Sequence, residues 1–121
     1  MRAVAQSHAG LKLFVLHGSR ARGDARDDSD WDLAYLATSA LDVSLLYADL
    51  ALALTTDGVD LVDLATAGGL IRYRVARDGI VVVESEPGAF DKFWFAAVSF
   101  WCDAAPVLRA GYKRILDGLG P

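Results

Sequence analysis

Two aspartates separated by a single residue, Asp30 and Asp32, are the feature of the sequence best suited to chemistry. They open an apolar run that predicts a β-strand over residues 30–37, where residues two apart point the same way and lie ~6–7 Å apart. Their carboxylates can converge on one Mg²⁺ or bridge two ions about 3.5–4 Å apart, as in phosphoryl and nucleotidyl transfer. A solvated acidic turn gives the same pattern, but the position after an arginine-rich loop and at a strand start favours a metal site.

Gly18-Ser19 follows an earlier apolar run and stands ten residues before this pair. Glycine lets the backbone approach a ligand closely, and amides at a helix start can bind phosphate oxygens, to which the Ser19 hydroxyl adds a bond. We also expect Ser19 to cap a short helix that Gly23 ends. The longer phosphate-loop pattern that ends in Gly-Lys-Ser/Thr is absent, so the sequence does not indicate a P-loop protein.

A third carboxylate is expected on the predicted strand 59–64, which carries Asp60 and Asp63. Their odd separation puts them on opposite faces, so at most one can join the site. We choose Asp60 because it lies near the strand start, as Asp30 and Asp32 do. The alternative, that both are charges at a strand edge, stays open.

The loop between the two motifs is basic, with Arg20, Arg22 and Arg26 able to neutralise phosphate charge. Equally, Arg22 could pair with an aspartate and only hold the loop. The whole chain has a net charge of −4. Because nucleic-acid binding depends on a basic surface, we expect a small phosphorylated ligand and no strong nucleic-acid binding.

Two other chemistries fail on the residues themselves. An EF-hand calcium loop starting at Asp28 would need Gly and Glu where the chain has Leu33 and Ser39. A serine hydrolase would need a Gly-x-Ser-x-Gly context that Ser19 lacks. His17 at a strand end and Cys102 on an apolar helix are expected to be structural, with Cys102 in the core.

The bulk composition predicts one ordinary folded domain of 121 residues. A single cysteine cannot form an internal disulfide, which favours the cytoplasm. We see no secretory signal in the first ten residues, and the apolar runs are too short to cross a bilayer, so no membrane association is expected.

The elements that must position these residues alternate along the chain. Strands are predicted over residues 11–16, 30–37, 59–64 and 80–84, and helices over residues 42–54, 65–76 and 89–119. We expect Ser39 to cap the first of these helices and Pro106 to kink or divide the last. This order predicts an α+β fold, a small mixed sheet flanked by helices packed mainly on one side, with a C-terminal helical tail. Residues 1–88 would form the core and residues 89–121 a segment packed on the core or on a partner, within one domain.

The C-terminal helix carries more aromatic residues than one buried stripe requires. Phe93, Phe95 and Phe100 fall outside that stripe, which predicts a protein partner or a homodimer.

Gly18-Ser19, ten residues and Asp30-x-Asp32 resemble the signature of the DNA polymerase β-like nucleotidyltransferases. The strings Gly-Ser-Arg-Ala-Arg-Gly and Ser-Asp-Trp-Asp-Leu resemble its minimal nucleotidyltransferase (MNT) branch, and Val-Asp-Leu-Val-Asp-Leu at 59–64 resembles that branch's third-carboxylate strand. The Arg-Asp-Gly-Ile-Val-Val-Val-Glu string is similar to its downstream hairpin. The resemblance runs from Phe14 to about Glu84.

The resemblance implies a polymerase β-like fold and Mg²⁺-dependent use of ATP with release of pyrophosphate. Gly18 and Ser19, with Arg20 and Arg22, would bind the nucleotide. The catalytic carboxylates Asp30, Asp32 and Asp60 would hold one or two Mg²⁺ ions, and Asp60 would also be the base. MNT proteins are often antitoxins that silence a HEPN-domain RNase toxin by binding it and by transferring AMP to a tyrosine, which implies a hetero-oligomer.

Other functions remain open at this point. The chain could modify a small molecule, as aminoglycoside nucleotidyltransferases do, although its length disfavours the extra acceptor domain that those enzymes carry. It could neutralise a partner by binding alone. A tRNA or polyadenylate polymerase is disfavoured by length and charge.

Overall fold

The computed structural model describes the backbone of residues 1–118 and the side chains of residues 1–104. Its elements are α1 (Arg2–Gln6), β1 (Leu11–His17), α2 (Gly18–Arg22), β2 (Trp31–Ala37), α3 (Val43–Leu54), β3 (Val59–Asp63), α4 (Gly69–Asp78), β4 (Ile80–Glu84) and α5 (Ala89–Gly118). The predicted strands are all present. The last residues of the predicted tail, from Leu119 onward, lie outside the described residues.

The four strands form one mixed sheet in the order β3-β2-β1-β4. β1 pairs antiparallel with β2 and with β4, whereas β2 and β3 are parallel. A parallel pair needs a crossover, and α3 supplies it between β2 and β3. The starts of β2 and β3 therefore meet the end of β1 at one edge of the sheet, where the sequence has its polar motifs.

Helices cover both faces of the sheet, so the expectation of helices mainly on one side is wrong. Leu46 and Leu50 of α3 pack with Phe14 on one face, together with α1. Val75 of α4 and Phe93 of α5 belong to the cluster on the other face. The reason lies in β1: its consecutive apolar residues point alternately to both faces, and each face needs a cover.

Three features of the helices differ from what the sequence predicts. Asp42, and not Ser39, caps α3, because its carboxylate accepts the Leu45 N–H at 3.0 Å. α4 begins at Gly69, after a turn in which Asp63 accepts the Ala65 N–H. α5 is one helix, so Pro106 does not divide it.

α2 also begins two residues earlier than expected. Its N-cap position is His17, which makes no side-chain capping bond, so Ser19 lies within the first turn and does not cap the helix. Gly23 ends α2 with a φ of 83°, as predicted.

The aromatic surface of α5 is confirmed in part. Phe95 and Phe100 are 69% and 55% exposed, but Phe93 is only 3% exposed and belongs to the core. Cys102 is exposed, so its expected place in the core is also wrong. Over the described length of the chain, no helix combines the length and apolarity needed to cross a membrane.

Candidate active site

Three polar side chains lie side by side on adjacent strands, where β1 ends and β2 and β3 begin. His17 of β1 is paired with Asp32 of β2, and Asp32 is paired in turn with Asp60 of β3. Paired residues on neighbouring strands, ~4.8 Å apart, project from the same face. This face is the one covered by α4 and α5, since Val15 and Ala34, of matching parity, belong to their core cluster. Asp63 has the opposite parity and lines a separate depression with Tyr35.

The turn at Gly18 brings the backbone against this row. Gly18 has a φ of 70°, in the region that favours glycine. A Cβ at this position would overlap the Asp32 carboxylate oxygen Oδ2. Only glycine therefore allows the start of α2 to lie directly beside the Asp32 carboxylate.

The row and the turn open into one cleft with a volume of about 350 Å³. This volume is at the lower end of the range for small-molecule sites. The lining residues are His17, Gly18, Ser19, Arg22, Asp32, Asp60, Val62, Ile71, Arg74 and Asp78. The cleft thus lies between the sheet edge, α2 and α4.

The pKa values of Asp32 and His17 are shifted from their usual values. Burial raises the pKa of Asp32, and the nearby carboxylates Asp60 and Asp30 raise it further, against the opposing influence of His17 and Arg22. Burial also lowers the pKa of His17, which favours a neutral imidazole. The buried Nε2 of His17 has no hydrogen-bond partner among the described side chains. The site therefore holds ionisable groups that the fold itself leaves unsatisfied.

Asp30 lies at the margin of the cleft. Its Oδ1 faces Gly58, where an added Cβ would come within 2.7 Å of it, and Asp30 does not line the cleft. Its charge nevertheless contributes to the raised pKa of Asp32. The structure therefore brings Asp32 and Asp60 together directly and keeps Asp30 nearby.

The donor set fits a hard divalent cation, although the side chains are not gathered around one. Among the described residues, no three acidic, histidine or cysteine side chains form a ready metal site. However, the repulsion that raises the pKa of Asp32 would be relieved by a cation between Asp32 and Asp60. Carboxylate oxygens are also the ligands that Mg²⁺ prefers.

Two arginines of α2, Arg20 and Arg22, have different surroundings. The Arg20 guanidinium lies 4.2 Å from the Trp31 ring centroid and donates to the Ser29 carbonyl at 2.8 Å, with longer bonds to neighbouring carbonyls. It does not line the cleft and instead holds the loop before β2. Arg22 lines the cleft and lies 4.0 Å from Asp78. Of the two predicted nucleotide-binding arginines, only Arg22 reaches the site.

The α4 wall contributes residues that the sequence analysis missed. Ile71, Arg74 and Asp78 face the cleft. They are spaced three and four residues apart and so share one side of the helix. This spacing is visible in the sequence, but nothing in the sequence says that this side of α4 faces the aspartates.

Comparisons with known proteins agree with this geometry. The profile of the family described as polymerase beta, nucleotidyltransferase matches residues 1–87. Protein adenylyltransferase MntA of Aphanizomenon flos-aquae (strain 2012/KM1/D3) is 36% identical in an alignment that covers 69% of this chain and 63% of that protein. The chain thus spans a little under two thirds of the length of this relative.

Two solved structures are similar in fold as well as in sequence. A crystal structure of a toxin–antitoxin with AMP-PNP has a TM-score of 0.73 and 29% identity, covering 97% of this chain and 93% of that chain. A tri-AMPylated HEPN toxin in complex with an MNT antitoxin, from Shewanella oneidensis, has a TM-score of 0.64 and 28% identity, covering 98% and 88% of the two chains. The chain belongs to the polymerase β nucleotidyltransferase family, and the predicted resemblance is confirmed.

Proposed function

We propose that this chain is a Mg²⁺-dependent adenylyltransferase that transfers AMP from ATP to a tyrosine hydroxyl of a HEPN-type toxin and acts as its antitoxin. The observation that carries the proposal is the placement of Asp32 and Asp60 side by side in a cleft that also contains the Gly18-Ser19 turn. The adenylyltransferase and toxin–antitoxin relatives support the choice of reaction and partner.

The reaction requires one bond to form and one to break. The acceptor oxygen attacks the α-phosphorus of ATP, the bond from that phosphorus to the bridging oxygen breaks, and pyrophosphate leaves. Asp60 takes the acceptor proton as general base, and the backbone and hydroxyl at Gly18 and Ser19 hold the triphosphate. Mg²⁺, held by Asp32 and Asp60 with Asp30 nearby, would supply charge neutralisation at the phosphate oxygens.

The acceptor is proposed to be a protein bound in a hetero-oligomer in the cytoplasm. Phe95 and Phe100 of α5 and Trp94 beside them are exposed aromatic residues on one helix. Aromatic side chains are enriched at protein interfaces, where they contribute much of the binding energy. We propose that these exposed aromatic residues of α5 contact the toxin, so that a tyrosine of the toxin reaches the cleft.

The test mixes the purified chain, Mg²⁺, ATP labelled on the α-phosphate and the helical protein encoded by the neighbouring gene. We expect label on that protein, and loss of label with Asp32→Asn or Asp30→Asn. Asp32→Asn should cost more, because Asp32 lines the cleft and Asp30 lies at its margin.

Toxin growth assays run in parallel separate transfer from binding. Neutralisation that persists in Asp32→Asn, without label on the toxin in wild type, would replace the enzymatic proposal by binding alone. Label on an aminoglycoside instead of the protein would favour the small-molecule alternative. A neighbouring gene without a HEPN-like product would remove the basis for the antitoxin role.

A further inference from the structure

α4 places a basic side chain in the cleft that neither sequence motif includes. Arg74 is exposed, lines the cleft, and lies on the same side of α4 as Ile71 and Asp78. Among the side chains of residues 1–104 it makes no salt bridge, whereas Arg22 and Arg77 both do. Arg74 therefore brings to the cleft a guanidinium that has no salt-bridge partner among these side chains, although its charge helps to lower the pKa of Asp78.

The acidic group closest to Arg74 on its own helix is already engaged. The two Asp78 oxygens accept bonds from Arg77 Nε at 2.9 Å and Nη2 at 2.8 Å. This pairing lowers the pKa of Asp78 and keeps it ionised. Because Arg77 makes both short bonds to Asp78, Arg74 is left to serve a ligand. Arg22 of α2 has only longer contacts, 3.5 Å to Asp24 and 4.0 Å to Asp78, which a ligand can replace.

The cleft therefore has a charge gradient across it. The sheet edge presents the carboxylates of Asp32 and Asp60, and the helical walls present the guanidinium groups of Arg22 and Arg74. A ligand suited to both sides carries a cation toward the carboxylates and several negative oxygens toward the arginines. Guanidinium groups match phosphate oxygens in charge and geometry.

We propose that Arg74, together with Arg22, binds the β- and γ-phosphates of the nucleoside triphosphate and so holds the pyrophosphate leaving group. The inference rests on the proposed nucleotidyl transfer, which places the reacting α-phosphate at the carboxylates. Arg74 would then retain affinity for free pyrophosphate after transfer, and it would contribute little to binding of AMP, which lacks both phosphates.

The experiment measures the affinities of the full chain for ATP, pyrophosphate and AMP by calorimetry, with Mg²⁺ present. We expect Arg74→Ala to weaken pyrophosphate binding on the order of 10- to 100-fold, the size of one or two lost charge-assisted hydrogen bonds, and to leave AMP binding unchanged. Arg74→Lys, which keeps the charge, should recover part of the loss. Lys92→Ala is the matched control, since it removes one positive charge from the exposed surface of α5, outside the cleft.

The outcomes separate this inference from the proposed function. Wild type that binds pyrophosphate, with Arg74→Ala and Arg74→Lys binding it equally well, would overturn the role of Arg74 and leave the adenylyltransferase proposal standing. Equal losses of AMP and pyrophosphate affinity in Arg74→Ala would also overturn it, because the residue would then act on the whole site. Wild type that binds neither ATP nor pyrophosphate would overturn both proposals.

Discussion

The two faces of the sheet use their aspartates differently. On the face covered by α3, three acidic groups have structural partners. Asp42 caps α3, Asp63 accepts the Ala65 N–H at 2.9 Å, and Asp49 Oδ2 lies 2.8 Å from His8 Nε2. These groups stabilise helix starts, turns and the packing of the N-terminal residues on α3.

On the face covered by α4, Asp32 and Asp60 stand beside each other, and within residues 1–104 no salt bridge neutralises them. Their proximity raises the pKa of Asp32 beyond the effect of its burial. Two adjacent carboxylates without a partner among the described side chains, one of them with a raised pKa, are typical of a ligand site. An aspartate with a hydrogen-bond partner in the fold is therefore interpreted as structural, and an aspartate without one as functional.

The difference between the two faces can be tested on one strand, β3, by replacing either Asp60 or Asp63 with asparagine. On the proposed mechanism Asp60→Asn would remove a base and a metal ligand together, so we expect it to reduce transfer on the order of 10³-fold. Asp63→Asn should keep near wild-type activity, since an amide oxygen can still accept the Ala65 N–H. Initial rates with labelled ATP measure both. Similar losses in the two variants would contradict the division between faces.

The close approach of Gly18 to Asp32 gives the next largest effect. Gly18→Ala and Gly23→Ala both force a side chain into positive φ, 70° and 83°, at a cost of about 1–2 kcal/mol in the free energy of unfolding. Only at position 18 would the new Cβ meet the Asp32 carboxylate, since nothing lies within 4 Å of it at position 23. We expect transfer to fall on the order of 10²-fold in Gly18→Ala alone. Equal activities at equal stability would show that the contact is unimportant.

A structural aspartate should show the opposite behaviour. Asp42→Ala removes the α3 cap and should lower the free energy of unfolding by about 1 kcal/mol, with transfer per folded molecule unchanged. Asp42→Asn keeps a capping oxygen and serves as the control. Urea denaturation measures the stability of all three proteins. A loss of activity beyond the loss of folded protein would place Asp42 in the functional group.

The smallest effect concerns the stability cost of the unpaired group. The pKa of Asp32 is raised in the folded state, so its ionised form lowers the free energy of unfolding at neutral pH, and this cost disappears as the pH falls through the folded-state pKa. We therefore expect Asp32→Asn to raise Tm slightly near pH 7.5 and to raise it by less near pH 4. Scanning calorimetry at the two pH values checks the sign. A Tm lower than wild type near neutral pH would mean that Asp32 is stabilising.

The alternation of side chains between the two faces of a strand can be read from the sequence. This alternation made part of the site predictable. The odd separation of Asp60 and Asp63 predicts opposite faces, and the structure shows them in two different depressions. The strands were predictable for the same reason, since apolar alternation is local. Helix starts were less predictable than strands. Ser39 and Asp42 are both good N-caps, and only the structure shows that Asp42 caps α3.

The arginines show where local information ends. Arg20 and Arg22 are two residues apart on one short helix, and their sequence context does not distinguish a loop contact from a ligand contact. The position of Trp31 decides the matter, because its ring and the carbonyls beside it take Arg20. Likewise, Arg74 lies more than forty residues after Asp32, and only the packing of α4 on the sheet brings it to the cleft.

The chemistry available to this protein follows from its sequence alone. The residue types and spacing of Gly18-Ser19, Asp30-x-Asp32 and Asp60 identify the family, because strand periodicity and glycine turns are properties of short segments. Which charges act together depends on how the strands and helices pack. The pairing of β2 with β3 places Asp60 beside Asp32. The packing of α4 on the sheet brings Arg74 to the cleft, whereas Arg20 binds the loop before β2 and does not line the cleft. The distances on which electrostatic interactions depend are set by contacts between elements far apart in the chain.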